Sequence, residues 1–380
     1  MKIELTPQQK DARAAFRAFA DEEIFPHADR FDREENMPSE LIKKMAQKKY
    51  LSTVLPEEYG GLGLDMITFG LLNEEIGRAC SSARSLLTVH GMVSYAILRW
   101  GTREQKERWL PKLASGQVIG AFALTEPNVG SDAKSIETTA EQQGDVFALN
   151  GQKKWITFGQ VADLFLIFAQ CDKKASAFLV ERNSPGLTTK LIQGLLGIRA
   201  SMIAKVHLND CRVPKENLIG GLGFGFSTVA LSALDLGRYS VAWGSVGIGQ
   251  ACLEASLKYA DERKQFGEPL KKHQLIKEMI ANMVTNVKAA RLLCYHAGYL
   301  KDIGDPSSTA ETLVAKYFAS TMAPRVANDA VQIHGGNGCG NEYPVQRYLR
   351  DAKIMEIIEG SNQMQQILIS RNAYLEPRNF

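Results

Sequence analysis

The chain has 380 residues, enough for two or three domains, and 45% of them are hydrophobic, an ordinary share for a protein that buries a large core. Its net charge of +3 is too small to indicate binding to nucleic acid or to an acidic membrane surface. The six cysteines are scattered without CxxC spacing, so we expect no metal site and no disulfide framework, and reduced thiols in a cytoplasm fit best. No apolar run is long enough to cross a bilayer.

Residues 1–117 are predicted to form a helical domain. Thr6, Pro7 and Gln9 have the spacing of an N-cap, a first-turn proline and a capping box, which indicates a helix start rather than a signal or transit peptide. Beyond them, apolar side chains recur at intervals of three and four, as on one face of an amphipathic helix. These side chains are Phe16, Phe19, Ile24, Leu41, Ile42, Met45, Leu71, Leu72 and Ile76.

Residues 118–228 are predicted to form a domain of compact β-strands. Short runs that are apolar, or that alternate between apolar and polar residues, are separated by Gly, Asn, Asp and Pro, which is typical of strands joined by turns. The runs cover residues 119–124, 146–149, 165–169, 177–180 and 206–208.

Residues 229–380 return to long helical patterns. One predicted helix contains Gly237, Gly244, Gly247 and Gly249. Because helix interiors tolerate glycine poorly, this density indicates close helix packing or a nearby ligand. A second predicted helix has one apolar face, formed by Ile276, Met279, Ile280, Met283, Val287, Ala290 and Cys294.

Glu359 is a candidate catalytic residue. It follows Ile357 and Ile358, and apolar surroundings raise the pKa of a carboxylate towards the range that suits a general base near neutral pH. Gly360 frees the backbone at this point, and Ser361 is placed to cap a following helix. Taken alone, a Glu before a helix is more often a solvated partner of the helix dipole.

Two segments of the predicted β-domain combine turn formers with hydrogen-bonding side chains. Residues 123–132 are interpreted either as a strand exit with Asx and Ser turns, or as a loop whose Thr125 and backbone amides bind the polar edge of a ring. Residues 151–157 are interpreted either as a strand in which Trp155 is simply a core side chain, or as a segment whose Thr157 hydroxyl donates to a heteroaromatic ring. Neither segment by itself decides between the two interpretations.

Seven segments in order resemble the acyl-CoA dehydrogenase family of flavoproteins, and the resemblance covers nearly the whole chain. It implies an α+β fold with an N-terminal helical domain, a middle β-barrel or sandwich, and a C-terminal four-helix bundle. It also implies FAD bound without a Rossmann unit, and the glycine-rich residues 220–225 indeed lack GxGxxG spacing. The segments are residues 125–132, 155–157, 196–201, 210–214, 263–267, 332–336 and 355–363.

The resemblance implies which residues contact FAD. Those at the isoalloxazine ring and upper ribityl chain would be Phe122, Leu124, Thr125, Ser131, Trp155 and Thr157, and Ser361 and Gln363 beside the base are assigned to the same site. Those at the pyrophosphate and adenine of a flavin in a neighbouring subunit, in a homotetramer or dimer, would be Arg263, Phe266, Gln274, Gln332, Gly335 and Gly336. A guanidinium suits pyrophosphate, and paired glycines let the backbone approach it.

The activity implied is α,β-dehydrogenation of an acyl thioester, with Glu359 removing the α-proton. Some family members place the base on the helix around residues 234–238, but here that position is Gly237, which cannot serve. Ser131, Arg238 and Gly360 are expected at the substrate, although Arg238 is equally well explained as a helix-surface charge.

Several alternatives stay open at this point. Phe158, Ile203 and Ile358 depart from the family's usual residues, and the Glu359 segment resembles the branch that acts on acyl carrier proteins in hydroxymalonyl or methoxymalonyl extender-unit formation. The electron acceptor is either an electron-transfer flavoprotein or oxygen. A non-catalytic flavoprotein and a helical scaffold without a cofactor are further alternatives.

Overall fold

The computed structural model describes residues 4–375, and its N-terminal part is helical. The predicted helix start is confirmed, because the Thr6 side chain accepts from the Gln9 N–H at 3.2 Å and the Gln9 side chain accepts from the Thr6 N–H at 3.0 Å. Short 3₁₀ and π turns join the helices. They are α1 (Pro7–Phe19), α2 (Ala28–Glu34), α3 (Ser39–Gln47), α4 (Met66–Ala79), α5 (Ser81–Trp100) and α6 (Arg103–Ala114).

The middle of the chain forms an eight-stranded mixed sheet. Its order is β6-β7-β3-β2-β4-β5-β8, with β1 paired in parallel to β4. The strands are β1 (Gly120–Ala123), β2 (Thr139–Gln143), β3 (Val146–Ile156), β4 (Leu164–Cys171), β5 (Lys174–Glu181), β6 (Leu187–Leu191), β7 (Ala204–Pro214) and β8 (Leu218–Ile219).

The prediction missed β2, β6 and β8. β2 has one buried residue and four exposed ones, so its sequence carries no apolar signal. β6 is short with one buried residue, and β8 has two residues. These segments are strands because their backbones pair with β3, β7 and β5, and pairing of this kind depends on the partner strand rather than on the segment's own side chains.

The C-terminal part is again helical, and α7 lies at its centre. It packs against α4 and α5 from the N-terminal part and against α8, α9 and α10. The helices are α7 (Leu231–Glu262), α8 (Gln274–Asp302), α9 (Ser308–His334), α10 (Val345–Met355) and α11 (Asn362–Leu375), and a small hairpin of β9 (Lys264–Gln265) and β10 (Glu268–Pro269) joins α7 to α8. The predicted order of helical domain, β-domain and helical bundle is therefore confirmed.

The glycines of α7 mark close approaches, as their density predicted. A Cβ atom at Gly249 would lie 2.9 Å from Val287 of α8 and 3.0 Å from Met322 of α9, and one at Gly247 would overlap the backbone of α4. One apolar cluster consequently runs from Phe16 in α1 through Trp243 in α7 to α9. The N-terminal and C-terminal helices thus share a core, and the domain boundaries at 117/118 and 228/229 stay a prediction.

β4 is buried on both faces. Leu164 and Leu166 join the cluster under α5 and α6, whereas Phe165 and Ile167 join the cluster inside the sheet domain. This alternation follows from the two-residue period of a strand. Since β1 pairs with β4, the packing of β4 under α5 and α6 also holds the end of β1 against the helical part of the molecule. Within residues 4–375, no helix is both long and apolar enough to cross a membrane.

Candidate active site

Glu359 lies on the turn between α10 and α11, and its carboxylate points into the protein. Its φ is +54°, and Gly360 follows with φ +84°, a conformation that glycine adopts without strain. The Oε2 atom is buried and accepts no hydrogen bond from residues 4–375. Burial raises the pKa of Glu359 to about 7, against the opposing effect of Arg238, Arg84 and Lys316. A buried carboxylate with this pKa is suited to accept a proton near neutral pH.

The absence of a side chain at Gly237 makes room for this carboxylate. A Cβ atom there would lie 2.6 Å from Oε2 of Glu359 and 2.8 Å from Sδ of Met92. Since real Cβ contacts do not become this short, a larger residue at 237 and the observed position of Glu359 exclude each other.

Buried polar side chains hold the turn through its carbonyl groups. Arg238 Nε donates to the carbonyl oxygen of Glu359 at 3.3 Å, and Gln365 Nε2 donates to the same oxygen at 3.3 Å and to that of Gly360 at 2.9 Å. Lys316 Nζ donates to the Gly360 carbonyl at 2.9 Å. The backbone N–H of Glu359 donates to no acceptor within residues 4–375, so it is free for an oxygen atom of a ligand.

Lys316 connects this turn to α9. Its ammonium is fully buried and also donates to Asn362 Oδ1 at 3.0 Å, which accepts from Ser320 Oγ at 2.6 Å as well. Burial lowers the pKa of Lys316 to about 7, although Glu359 raises it. The side chain therefore gains or loses its charge in the pH range in which Glu359 does.

Arg84 of α5 is a third cation near the base, after Arg238 and Lys316. Its side chain is fully buried, Nη1 donates to Thr88 Oγ1 at 2.7 Å, and Nη2 donates to the sulfur of Met355 at 3.4 Å. Nε has no hydrogen-bond partner in residues 4–375. Burial lowers the pKa of Arg84 to about 10, so the guanidinium is charged at neutral pH.

Sequence reasoning missed Arg84, Lys316 and Gln365. A signal was present for the two cations, since neither has an acidic residue three or four positions away on its own helix. A surface Lys or Arg on a helix commonly pairs with an acidic residue three or four positions away. A cation without such a neighbour, in a helical stretch of apolar or small residues, is therefore a candidate for a buried position. Gln365 carries no comparable signal.

The predicted flavin-ring residues gather where β1 and β3 end. The Lys154 N–H donates to the Thr125 carbonyl at 2.9 Å, and the buried Lys153 ammonium donates to the Leu124 carbonyl at 3.2 Å and to Glu126 Oε1 at 2.6 Å. These contacts join the loop after β1 to the end of β3, although the two are about 30 residues apart in sequence.

Trp155, the penultimate residue of β3, is an exposed aromatic residue rather than a core side chain. Its φ is +64° and its exposed fraction is 47%, so the interpretation as a core residue is wrong. Phe122, Thr125 and Thr157 are half-buried, and Ser131 is exposed. The site thus offers an aromatic face next to hydroxyl groups.

The predicted pyrophosphate residues form a separate group on the C-terminal helices. Arg263 ends α7, Phe266 lies at the tip of the β9–β10 hairpin with an exposed fraction of 96%, and Gln274 begins α8. Gln332 and Gly335 lie at the end of α9. Among residues 4–375, no hydrogen bond or ion pair joins this group to the one around Trp155, which lies at the end of a strand of the sheet.

The glycine segment of this second group is open to a ligand. Gly335 has φ +59° and ψ −138°, which essentially only glycine adopts, and a Cβ atom at Gly335 or Gly336 would meet no atom within 4 Å. Asn337 Nδ2 donates to Tyr259 OH at 2.9 Å, which ties the segment to the end of α7 near Arg263. Exposed backbone beside an exposed guanidinium is suited to a pyrophosphate, and the Trp155 group is suited to a flavin ring, so the residues present fit FAD.

Ser361 and Gln363 occupy the start of α11. Ser361 Oγ accepts from the Met364 N–H at 3.4 Å, so the predicted helix cap is confirmed. Gln363 is exposed, and its assignment to the cofactor site stays a prediction.

Comparisons with known proteins extend these observations to the whole chain. Family profiles described as the N-terminal, middle and C-terminal domains of acyl-CoA dehydrogenase match residues 6–117, 121–211 and 223–374. The probable acyl-CoA dehydrogenase YngJ of Bacillus subtilis is 43% identical over 378 residues, which cover 98% of this chain and 99% of the relative. The mitochondrial short-chain specific acyl-CoA dehydrogenase of Mus musculus is 41% identical over 374 residues, 97% of this chain and 90% of the relative.

Solved structures are similar over nearly the full length. Butyryl-CoA dehydrogenase from Megasphaera elsdenii has a TM-score of 0.95 at 35% identity, covering 98% of this chain and 100% of that one. A chain of the electron transferring flavoprotein structure from Acidaminococcus fermentans has a TM-score of 0.95 at 40% identity, covering 98% and 99%. FkbI, of methoxymalonyl extender-unit biosynthesis, has a TM-score of 0.88 at 31% identity, covering 96% and 99%. As its seven sequence segments predicted, the chain belongs to the acyl-CoA dehydrogenase family.

Proposed function

We propose that this protein catalyses FAD-dependent α,β-dehydrogenation of a short acyl-CoA, with Glu359 as the base. The observation that carries this assignment is the buried Oε2 atom of Glu359, which lies against Gly237 without a hydrogen-bond partner and has a pKa raised to about 7. Short acyl groups are proposed because short-chain and butyryl-CoA dehydrogenases are among the relatives.

The residues of the turn have distinct tasks in this reaction. The thioester carbonyl acidifies the neighbouring α-carbon, and Glu359 accepts the α-proton. The Glu359 N–H, which has no acceptor in residues 4–375, would donate to the thioester oxygen and stabilise the negative charge that develops there. FAD, held by the residues of the two predicted groups, would supply the acceptor for the β-hydrogen, which would leave as hydride so that the substrate gains a double bond between its α- and β-carbons.

FAD binding is proposed to require two copies of the chain. Trp155 and Thr157 would contact the flavin ring, whereas Arg263 and Gly335 would contact the pyrophosphate of the flavin in the neighbouring subunit. This arrangement is supported by the open backbone at Gly335 and the exposed Arg263, which lie on helices of the C-terminal part rather than at the strand end that carries Trp155. The two copies would belong to a dimer or to a tetramer.

An electron-transfer flavoprotein is the proposed electron acceptor. The likeness to a chain in the electron transferring flavoprotein structure from Acidaminococcus fermentans supports it. Oxygen is the alternative acceptor. If oxygen accepts the electrons, the reduced flavin of the protein should reoxidise quickly in air.

A carrier-protein-bound acyl group is the alternative substrate, supported by the likeness to FkbI. Two of the sequence departures do not add to that support. Phe158 is fully buried and Ile203 is 7% exposed, and both belong to the central apolar cluster, so they are explained by packing. Ile358 packs partly buried beside the base and remains open to either interpretation.

The proposal is tested by anaerobic bleaching of the bound flavin. Acyl groups of increasing length are presented as CoA thioesters and on an acyl carrier protein, and the reduction rate is measured. Rapid bleaching by a short acyl-CoA supports the assignment, whereas bleaching only by the carrier-bound form replaces it with the carrier-protein alternative.

The Glu359→Gln variant identifies the base. We expect its reduction rate to fall by at least about 100-fold, because the amide cannot take the α-proton. Glu356→Gln is the matched control, since Glu356 lies on the same turn but pairs with Lys353 at 2.7 Å near the surface. An unchanged rate in Glu359→Gln would exclude Glu359 as the base, and a flavin that no thioester bleaches would indicate a non-catalytic flavoprotein.

A further inference from the structure

Helices α5 and α7 lie side by side and run in opposite directions. A Cβ atom at Gly237 of α7 would lie 2.8 Å from Sδ of Met92 in α5. One at Gly244, further along α7, would lie 2.7 Å from Nε of Arg84, nearer the start of α5. The carboxylate of Glu359 lies at the level of the first contact, because the Cβ atom at Gly237 would also be 2.6 Å from Oε2. The base therefore lies part of the way along the boundary between the two helices.

This boundary is closed towards the start of α5. Residues 81–94 of α5 and residues 236–249 of α7 are all buried. An acyl thioester with its α-carbon at Glu359 has two ends, an acyl chain and a long polar arm that carries phosphate. Burial stabilises an apolar chain and penalises a charged phosphate. The acyl chain is therefore expected on the closed side, and the polar arm on the other.

The opposite end of the boundary reaches solvent. Trp100 Nε1 donates to Ser232 Oγ at 2.8 Å, so the last turn of α5 lies beside the first turn of α7. Leu231 is 41% exposed at this end, and the side chain of Arg99 is exposed as well. The polar arm of a bound thioester would leave the protein here.

Arg99 lies at this open end without an ionic partner in residues 4–375. Met92, Tyr95 and Arg99 are spaced by three and four residues, which places them on one face of α5. Burial raises the pKa of Tyr95, while Arg99 lowers it and Asp235 of α7 raises it, so the three groups lie near one another. The Asp235 carboxylate is itself paired with Lys301. The charge of Arg99 is consequently available to an anion at this end.

The distance from the base suits the polar arm. Met92 and Arg99 are seven residues apart, which is about 10 Å along the helix axis, and the arginine side chain extends further. A pantetheine arm spans roughly 15 Å between its sulfur and its 4′-phosphate when extended, as a peptide of about four residues does. The guanidinium is thus within reach of that phosphate when the α-carbon is at Glu359.

We propose that Arg99 binds the 4′-phosphate of the pantetheine arm at the outer end of the boundary between α5 and α7. This inference rests on the proposed function, because it takes Glu359 as the position of the α-carbon. It adds a residue that recognises the carrier of the acyl group. The 4′-phosphate is common to CoA and to the phosphopantetheine of an acyl carrier protein, and a guanidinium offers parallel N–H donors to its oxygen atoms.

The test is equilibrium binding to the FAD-containing Glu359→Gln protein, in which the thioester is not consumed. One butyryl group is presented on pantetheine, on 4′-phosphopantetheine, on CoA and on an acyl carrier protein. By titration calorimetry we expect butyryl-4′-phosphopantetheine to bind about 10-fold more tightly than butyryl-pantetheine, the contribution of a hydrogen bond between charged groups. This gain should shrink at high salt, because the exposed guanidinium is screened.

Replacing Arg99 separates recognition from a structural role. Arg99→Ala, added to Glu359→Gln, should remove the gain from the phosphate and leave the binding of butyryl-pantetheine almost unchanged. Arg99→Lys should retain part of the gain, because a lysine keeps the charge but not the parallel donors. Arg103→Ala is the matched control, since the exposed Arg103 pairs with Glu107 at 2.7 Å, and it should retain the full gain. Thermal unfolding measures separately what Arg99 contributes as a cation in the last turn of α5.

The outcomes are distinct. A gain that survives in Arg99→Ala, an equal loss for the forms with and without phosphate, or equal binding of both forms before the replacement would each overturn the assignment to Arg99. An Arg99-dependent gain with butyryl-CoA supports it with CoA as the carrier, and one confined to the carrier protein supports it with phosphopantetheine as the source.

Flavin bleaching of the wild-type protein distinguishes this inference from the proposed function. Bleaching by butyryl thioesters that bind equally well with and without the phosphate would leave the proposed dehydrogenation intact and refute the role of Arg99 alone. If none of the four forms binds or bleaches the flavin, the proposed function itself fails.

Discussion

The carboxylate of Glu359 lies in the space that a side chain at position 237 would fill, with Oε2 only 2.6 Å from the place of a Gly237 Cβ atom. The two positions are 122 residues apart in sequence, yet each constrains what the other can be. A carboxylate-bearing residue on α7 at 237 and the observed Glu359 are therefore alternatives, and this chain has the second.

Gly237→Ala should lower activity by displacing the base. The added methyl group would force Glu359 or Met92 to move, and small displacements of a catalytic group cost about 100-fold in rate. The rate of flavin reduction under anaerobic conditions measures the effect. Gly91→Ala in α5 is the control, because its Cβ atom would meet only Leu236, at 3.9 Å. A full rate in Gly237→Ala would show that the close fit between Gly237 and the Glu359 carboxylate is not required.

The rate of flavin reduction should increase with pH through a pKa near 7. Glu359 acts as a base only when ionised, and burial raises its pKa to about 7, so protonation below that pH removes the active form. The expected profile is low at pH 5 and level above pH 8. A profile without an ionisation between these values, measured by stopped-flow reduction, would contradict the pKa of Glu359.

Lys316→Met should shift this profile to higher pH. The ammonium of Lys316, together with Arg238 and Arg84, favours the ionised carboxylate, so its removal raises the pKa of Glu359. The Gly360 carbonyl and Asn362 also lose a donor, which should cost about 1–3 kcal/mol in stability.

Lys353→Met is the control for this prediction. Lys353 has an exposed side chain that pairs with Glu356 at 2.7 Å, so its removal should leave the pH profile almost unchanged. Equal shifts in the two variants would indicate a general effect of surface charge rather than a specific role of Lys316.

Lys153→Met should destabilise the strand end that carries Trp155. The Lys153 and Glu126 side chains are both buried, and removing one partner leaves the other charge uncompensated, at a cost of about 3–5 kcal/mol. Urea unfolding should show this loss together with weaker FAD retention. The double variant Lys153→Met with Glu126→Gln should recover part of the stability, and an absence of recovery would argue against the ion pair as the cause.

Arg263→Ala should lose FAD and loosen the oligomer together, because the proposed site spans two subunits. Flavin absorbance per protein and the mass in solution by light scattering measure both properties. Lys264→Ala provides the neighbouring exposed cation as a control. Full flavin occupancy in a stable oligomer of Arg263→Ala would contradict the placement of Arg263 at the pyrophosphate.

Much of the fold was predictable because its signals are local. The capping box of Thr6 and Gln9, the apolar helical periodicity and the short apolar strands each depend on residues a few positions apart, and the structure contains them. Strands β2 and β6 were not predictable in this way, because each has a single buried residue and their pairing partners decide their conformation.

The sequence by itself determined the order of the domains, the family and the candidate base, since ordered motifs and periodicity survive without coordinates. Only the tertiary structure showed that Gly237 makes room for Glu359, that Lys316 holds the turn after it, and that Arg84 is fully buried with its Nε bonded to no acceptor in residues 4–375. These three facts depend on contacts between α5, α7, α9 and the turn before α11, which are far apart in sequence. The physical reason is that burial and pairing of a charge are properties of everything packed around it, and no local pattern records them.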